Sequence, residues 1–484
     1  MRFPLLSKTL AIGAVVLLLC LVLARIDSLV AERSARQEEA RRSVEQSMAG
    51  AQVLMGPLLL RHCTEEWEFT QGEGRDRRVV ADKRSFTLTS APQTLAVDGE
   101  ARADARYRGL FKVNGYAGPI ELEARWASLS ELQPRAEHAN GRLQCEPAVV
   151  MLSVSDVRGL RSARVRIDGE TTPVEPGTGH PAYPRGLHAV LSEARLERAN
   201  EPLAVKLSID LLGTVRLSLV PAAGETRWSL RSDWPHPSFG GRFLPATREV
   251  SESGFAAQWS VSSLASSAAK DVQHGGVFCS APPSDELGYA AVARAATAST
   301  QPAQPCLDLL SVDFIDPINP YVLTDRATKY ALLFIALTFA GVALVEVLAR
   351  RRVHPVQYAL VGMALALFYL LLLSLSEHMG FGAAYALAAS ACVALLGFYA
   401  SHMLGRRAAG AAFGLGAAAL YGLLWVLLRM EQTALVIGSV MLFAALAAVM
   451  VLTRRIDWYA LVDSWRADPA GAAKTRTAAQ PPQA

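Results

Sequence analysis

The residues of this chain that could bind or react fall into two groups, and the first lies in a proline-rich segment. In Trp234-Pro235-His236-Pro237, the two prolines hold the backbone of His236 extended. Such a segment could form a recognition loop, or a rigid corner that packs Trp234 and Phe239 onto a sheet. We treat Trp234, His236 and Phe239 as a candidate binding surface.

The second group is Glu346, Glu377 and His378, which lie in or beside apolar segments. An ionisable group inside a bilayer is costly, so it suggests a function by default. Glu346 could pair with Arg350 one helical turn later, or belong to a proton-relay or transport path. Glu377 and His378 stand where an apolar segment ends, and water could solvate them there. These three side chains are the candidate intramembrane polar residues.

Common catalytic motifs are absent from the sequence. It contains no GxSxG nucleophile elbow, no Walker A loop, no HExxH and no GxGxxG after a strand. A zinc site is not expected, because there is no CxxC and no two of the nine histidines lie three or four residues apart. We therefore predict that the protein is not an enzyme, with no catalytic residue, cofactor or metal.

The six cysteines divide by their surroundings. Cys20 and Cys392 lie in apolar runs and are expected to be inert. The other four could form up to two disulfides with three possible connectivities: Cys63, Cys145, Cys279 and Cys306. Our first choice is a bond between Cys279 and Cys306, because it would close the low-complexity loop between them. Free thiols without a role are the alternative.

Long apolar segments stand at the N-terminus and after Lys329. A helix of about twenty apolar residues crosses about 30 Å of hydrocarbon. The first segment, residues 10–24, follows Arg2 and Lys8 and lacks small residues at a cleavage site, which favours an uncleaved signal anchor. Five further spans are predicted at residues 330–348, 356–375, 382–401, 408–428 and 434–452.

Positive charges orient the six predicted spans. Arginines occupy alternate connections, at residues 350–352, 406–407 and 454–455, and match the basic N-terminus. By the positive-inside rule, both termini are cytoplasmic and the domain between spans one and two is periplasmic. The net charge is only +4 and the basic residues are dispersed, so no nucleic-acid surface is expected.

The intervening domain is predicted to be mainly β and sandwich-like. Apolar and polar residues alternate along short segments, at residues 120–126, 163–168, 205–211, 215–219 and 255–261. Alternation indicates one buried and one wet face, as in antiparallel sheets. Residues 170–185 and 282–305 are predicted loops. The small apolar residues of the fifth span favour close helix packing.

These patterns divide the chain into five parts. They are a signal-anchor helix (1–25), a charged helical stalk (26–56), a periplasmic mainly-β domain (57–328), a five-helix transmembrane bundle (329–455) and a cytoplasmic tail (456–484). The predicted fold class is an α-helical membrane bundle of six spans with a large β domain inserted between spans one and two.

Several composite motifs make the chain resemble the CreD inner-membrane proteins, also described as a colicin-tolerance (Cet) family. In the membrane part they are FIDP (314–317), ALLF (331–334), HPVQY (354–358), LSLSEH (373–378) and TRRIDWY (453–459). In the outer domain they are GP (56–57), RG (108–109), DVRG (156–159), SDWPHPSF (232–239) and FLP (243–245). The insert between Cys279 and Cys306 departs from the family pattern.

The resemblance implies a Gram-negative inner-membrane protein made under a two-component envelope stress response. It also implies links to envelope integrity and β-lactam susceptibility, but it carries no established reaction. We predict a non-enzymatic protein whose partners are the lipid bilayer and a periplasmic envelope component or protein. No oligomeric state follows from the sequence. A transporter or flippase using Glu346, Glu377 and His378 is the alternative, and an enzyme acting on cell-wall or lipid material comes third.

Overall fold

The computed structural model forms two compact units. It describes residues 4–71, 78–278, 306–316, 319–349, 353–405, 407–430 and 434–454. The helical unit comprises Met1–Arg36 and Ile318–Ala484, and the β domain comprises Gln37–Pro317. Each unit has its own hydrophobic core.

The helices are numbered in chain order. Within the described residues they are α1 (Pro4–Ser47), α2 (Glu193–Glu197), α3 (Ala268–Gln273), α4 (Pro320–Ala349), α5 (Pro355–Ser376), α6 (Phe381–Leu404), α7 (Arg407–Arg429) and α8 (Ala434–Thr453). By length and composition, α1, α4, α5, α6 and α7 could each cross a membrane. The sixth predicted span coincides with α8, which is apolar over the shorter stretch Val436–Val451.

Helix α4 begins ten residues before the predicted span. The Asn319 side chain accepts a hydrogen bond from the Tyr321 N–H at 3.0 Å, and Pro320 occupies the first helical position. Proline fits there because its missing N–H would have had no partner inside the helix. These local signals start the helix in the polar lead-in rather than at the first apolar residue.

Helix α5 begins with a capping box. The His354 side chain accepts from the Val356 N–H at 3.3 Å, and the Gln357 side chain accepts from the His354 N–H at 3.0 Å. Pro355 again takes the first helical position. Two otherwise unpaired backbone donors are thereby satisfied before the apolar run begins.

Small residues bring α6 and α7 close together. A Cβ on Gly410 would lie 2.5 Å from the Cα of Ser401, so only glycine fits there. A Cβ on Gly414 would lie 3.5 Å from the Cα of Gly397. The helices therefore approach backbone to backbone, as small residues allow in membrane bundles. The expectation of close packing in this span is confirmed.

Within the described residues, the β domain contains seventeen strands. They are β1 (Gln52–Gln71), β2 (Arg78–Ser90), β3 (Thr94–Arg108), β4 (Phe111–Trp126), β5 (Arg142–Cys145), β6 (Val149–Val154), β7 (Leu160–Ile167), β8 (Glu170–Thr172), β9 (Glu175–Pro176), β10 (Gly186–Val190), β11 (Leu203–Thr214), β12 (Arg216–Leu219), β13 (Glu225–Ser232), β14 (Pro237–Gly241), β15 (Thr247–Ser251), β16 (Gly254–Ser262) and β17 (Leu310–Phe314).

The strands form two sheets. The first has the order β14-β17-β12-β1-β6-β10-β9, with β2 and β5 also paired to β1, and the second has the order β15-β16-β13-β3-β4-β11-β7-β8. Most pairs are antiparallel, but β1 with β12 and β13 with β3 are parallel. The sheets are therefore mixed. Alternation reports which face of a strand is buried, and it does not report the direction of the neighbouring strand.

The two sheets share one core, which makes the domain a sandwich. Leu122 of β4 and Val150 of β6 come from different sheets and are both buried in it. Trp228 and Trp259 stack within the same core with ring centroids 4.4 Å apart. The predicted fold class, a membrane bundle with a β sandwich inserted after the first span, is confirmed.

Two predicted segments differ from the structure. The charged helix was expected to continue to residue 56, but it ends at Ser47 and β1 begins at Gln52. Residues 52–60 are all buried, so this part of β1 reads as a continuous apolar run without alternation. The predicted loop 170–185 contains the short strands β8 and β9. The predicted loop 282–305 lies outside the described residues.

We expect Gly118→Ala to destabilise the β domain by about 3 kcal/mol or more, because the new Cβ would meet backbone that cannot yield. It would overlap the Glu100 carbonyl oxygen on the paired strand. Gly99→Ala is the matched control. Its Cβ would chiefly meet the end of the Leu230 side chain at 3.1 Å, so a change within about 1 kcal/mol is expected.

The measurement is urea unfolding of the full-length variants in detergent, followed by tryptophan fluorescence. Equal midpoints for the two variants would contradict this account of the β3–β4 pairing.

Candidate functional site

Glu346 is buried inside the helical unit, with 5% of its side chain exposed. One carboxylate oxygen forms an ion pair with the Lys8 ammonium and accepts from the Val353 N–H at 3.2 Å. The other accepts from the Tyr358 hydroxyl at 3.1 Å. Three donors from α1, α5 and the residues before it therefore surround a charge that would otherwise be costly to bury.

The partner of Glu346 could not be found by local spacing. The sequence suggested Arg350, one turn away, which lies outside the described residues. The ion pair in the structure joins residues 338 positions apart. Lys8 precedes the first apolar run, and in the sequence it looks like any basic residue that flanks a membrane span. Only the packing of α1 against α4 brings its ammonium to the carboxylate.

Glu377 is mostly shielded, and protein groups surround its carboxylate where water was expected to solvate it. It caps the C-terminal end of α5, and only 9% of its side chain is exposed. Its carboxylate lies 3.5 Å from the Arg33 guanidinium and accepts from the Tyr321 hydroxyl at 3.3 Å. The neighbouring His378 is exposed, and its ring nitrogen lies 3.2 Å from the Ser374 carbonyl oxygen. His378 therefore does not join Glu377 in one site.

The two buried carboxylates hold the same helix. Lys8 and Arg33 both belong to α1, about 38 Å apart along its axis at 1.5 Å per residue. Their partners Glu346 and Glu377 belong to α4 and to the end of α5. The predicted intramembrane residues thus lie in two places, Glu346 in one and the adjacent Glu377 and His378 in the other, and both carboxylates act as attachment points for α1.

The proline-rich segment forms a packed corner. Trp234 is 8% exposed, and its indole N–H donates to the His236 carbonyl oxygen at 3.0 Å. Phe239 packs edge-on against Phe255 and Trp259, with ring centroids 5.7 and 5.8 Å away. Only His236 of the candidate binding surface is exposed. The segment therefore uses Trp234 and Phe239 chiefly for packing and leaves His236 as its exposed candidate residue.

A disulfide joins the adjacent strands β1 and β5. Cys63 and Cys145 lie directly opposite each other in the register of these strands and are bonded. The bond preferred from the sequence, Cys279 to Cys306, involves a residue outside the described part of the chain. Cys20 and Cys392, expected to be inert, are free thiols.

A buried carboxylate two residues beyond Cys63 organises a site that sequence reasoning missed. Glu65 is fully buried and accepts from the backbone N–H groups of Glu137 and His138, both at 2.9 Å. The Arg84 guanidinium donates to its other oxygen at 3.3 Å. These donors, the His138 N–H foremost, lower the pKa of the Glu65 carboxyl. Glu65 therefore fixes the 137–138 loop onto β1.

This attachment sets the His138 ring on the Trp67 ring. The two rings are parallel within 4°, with centroids 3.9 Å apart. Beside them is an open cavity of about 450 Å³, lined by Trp67, Glu68, Phe69, Asp82, His138, Ala139 and Asn140. We call these residues the aromatic platform. Trp67 lies fifteen residues into β1, which corresponds to about 50 Å measured along the strand at about 3.3 Å per residue.

The aromatic platform suits binding rather than catalysis. Its cavity offers aromatic rings together with carboxylate and amide groups, which is the usual mixture in ligand pockets. Glu65 is held by fixed donors and is not positioned as a free base. Among the described residues, no group of three or more His, Cys, Asp or Glu side chains could hold a metal ion. The sequence held only part of the signal for this site. Alternation along β1 places Glu65, Trp67 and Phe69 on one strand face, but His138 lies about seventy residues away and no local pattern links it to them.

Glu65→Gln should lower the stability of the β domain near neutral pH, because its amide NH₂ group would face the Arg84 donor. The folded-state pKa of Glu65 lies below its usual value of 4.5. The stabilisation is therefore present above that value and is lost as pH falls through the folded-state pKa. The difference in stability between the variant and the wild type should therefore shrink as pH falls through the folded-state pKa of Glu65.

Unfolding midpoints measured from pH 7 down to pH 3 would test this dependence. Glu68→Gln, at an exposed position on the same strand, is the control and should change little at any pH. A Glu65→Gln deficit that persists unchanged at low pH would refute the assignment.

Comparisons with known proteins agree along nearly the whole chain. The family described as "Inner membrane protein CreD" matches residues 4–459. The inner membrane protein CreD of Escherichia coli (strain K12) is 35% identical over 463 residues, which cover 95% of each chain.

Among solved structures, an M1 zinc metallopeptidase from Deinococcus radiodurans aligns with a TM-score of 0.18 and 8% identity, over 35% of this chain and 38% of that one. That likeness is too slight to bear on fold or function. The family match and the E. coli relative span the membrane helices and the β domain alike. The chain belongs to the CreD family of inner membrane proteins.

Proposed function

We propose that this protein is a non-enzymatic component of the cell-envelope stress response. Its β domain would lie in the periplasm and bind an envelope component or a protein partner, with both chain termini in the cytoplasm. Binding would help to maintain envelope integrity and would affect β-lactam susceptibility, in a system under two-component regulation. The resemblance to CreD proteins suggests the envelope stress response as the process. The geometry within each unit supports binding by the β domain and anchoring by the helices.

The observation that carries the proposal is the state of the two buried carboxylates. A proton or substrate pathway needs an ionisable group that can exchange its partner during the cycle. Glu346 is held by an ammonium, a hydroxyl and a backbone N–H, and Glu377 by a guanidinium and a hydroxyl. Their contacts are those of structural ion pairs that attach α1. This arrangement supports an anchoring role for the helices over a transport role.

The β domain supplies the surface on which binding would occur. At the aromatic platform, rings, carboxylates and an amide border a cavity. Its His138 loop is held by Glu65, and Trp67 lies four residues beyond Cys63 of the disulfide. Rigid support of exposed groups reduces the ordering cost of binding. We place the contact with the envelope component there.

Complementation of a strain that lacks the gene tests this proposal. Trp67→Ala combined with His138→Ala should leave envelope leakage and β-lactam susceptibility close to those of the deletion strain, because the platform is lost. Glu346→Gln should restore both properties, because the amide oxygen can still accept from the Val353 N–H and Lys8 is partly exposed to water, whereas a pathway carboxylate could not lose its charge. Membrane levels of every variant are measured alongside.

His236→Ala is the matched control for the outer variant, since it removes an exposed histidine from the packed corner, and it should complement fully. If Glu346→Gln fails at normal membrane levels while the Trp67/His138 variant succeeds, the helices are the working part. The transporter reading would then replace the binding proposal.

A further inference from the structure

The hairpin between β3 and β4 ends in an exposed apolar tip. Arg108 pairs with Phe111 across a two-residue loop, and Gly109 supplies the positive φ of 61° that such a loop needs at its first position. Tyr107 is 68% exposed and Leu110 is 61% exposed. We call residues 106–111 the hairpin tip.

The hairpin tip combines these apolar side chains with positive charge. The Arg108 side chain is exposed, and no hydrogen bond or ion pair to it is seen among the described residues. Arg106 is held by Asp104 at 2.6 Å, which fixes its position on the strand before the turn. Tyr107 and the free Arg108 guanidinium, at the end of β3, thus flank the two-residue loop that carries Leu110.

The hairpin tip lies at the end of the β domain where the chain leaves it. The Asn114 amide donates to the Phe314 carbonyl oxygen at 3.0 Å, and the Lys112 ammonium lies 3.3 Å from the Asp316 carboxylate. Four residues after Asp316 the chain enters α4, a helix long and apolar enough to cross a membrane. The base of the hairpin is therefore fastened to the segment that leads into the bilayer.

The N-terminal connection meets the domain at the same end. The Thr214 hydroxyl donates to the Ala49 carbonyl oxygen at 2.9 Å, just after α1 ends. Thr214 is paired with Gly115 of β4, which follows the hairpin tip by four residues. Both chain connections of the β domain thus converge on the base of this hairpin.

We propose that the hairpin tip binds the surface of the lipid bilayer that the protein's own helices cross. Tyrosine concentrates at the membrane–water interface because its ring is apolar and its hydroxyl is polar. Arginine can lay its stem along apolar surface while its charge meets anionic headgroups. In the proposed contact, Tyr107 and Leu110 enter the headgroup region and Arg108 meets lipid phosphate. The contact does not depend on which side of the membrane the β domain occupies.

A second exposed leucine provides a control at the other end of the same sheet. Leu264 is 98% exposed and follows Ser263, whose N–H donates to the Gly224 carbonyl oxygen at 2.8 Å. Glu225, which follows Gly224 in the chain, is paired with Thr94, the first residue of β3. From Thr94 to Arg108, β3 spans about 46 Å at about 3.3 Å per residue. Leu264 should therefore remain in water if the hairpin tip is at the bilayer.

The experiment uses the full-length protein in nanodiscs of phosphatidylethanolamine and phosphatidylglycerol. Leu110→Cys and Leu264→Cys are made in a Cys20→Ser, Cys392→Ser parent and labelled with an environment-sensitive fluorophore without reduction of the disulfide. The unsubstituted parent measures background labelling. With nitroxide-bearing lipids, the label at position 110 should lose about half or more of its fluorescence, as expected at the headgroup level. The label at position 264 should lose little.

The label at position 110 also tests the contribution of the Arg108 charge. Arg108→Glu, or nanodiscs of neutral phosphatidylcholine alone, should reduce the quenching at position 110. Equal quenching at positions 110 and 264, whether strong or absent, would overturn the proposal. Absence of quenching in pure lipid, together with protection of position 110 by added periplasmic extract, would indicate a protein partner instead of the bilayer and would equally overturn it.

Discussion

The helical unit depends on one constraint, which is that a carboxylate cannot stay charged among packed apolar helices unless donors surround it. Glu346 meets this constraint through Lys8, Tyr358 and a backbone N–H. Glu377 meets it near the other end of the same helices through Arg33 and Tyr321. Both cations come from α1, so the packing of this one helix supplies the opposite charge for both acids.

The same constraint operates in the β domain, with a different consequence. Glu65 is buried and takes its donors from a distant loop and from Arg84 on the neighbouring strand. The loop is thereby positioned so that the His138 ring covers Trp67. Buried charge in this protein thus does structural work. In one unit it attaches a helix, and in the other it prepares a surface that can bind a ligand.

The two ends of the β domain differ in a way that bears on its role. One end carries both chain connections and the exposed, partly cationic hairpin tip. The aromatic platform lies far along β1, on the strand that begins at the N-terminal connection. The aromatic platform therefore lies along β1, away from the residues at which both chain connections meet the β domain. This arrangement is consistent with the proposed binding role without any enzymatic step.

The sequence by itself determined the architecture, because its signals are local. Apolar length predicts the spans, and alternation such as that of residues 120–126 predicts strands of a sandwich with one buried face. The motifs from 314 to 459 indicate the family. Local patterns failed where both faces of a segment are covered, as in residues 52–60, since alternation then disappears and a strand resembles the end of the preceding helix.

The candidate site was decided by the tertiary structure alone. The Lys8–Glu346 pair, the Arg33–Glu377 pair and the stack of His138 on Trp67 all join residues far apart in the chain. No spacing rule reaches across such separations, because the partners are chosen by which elements pack together. For the same reason the sequence could not show that Trp234 is buried in a packed corner of the β domain. Residue types reveal what chemistry is possible, and packing decides which groups meet.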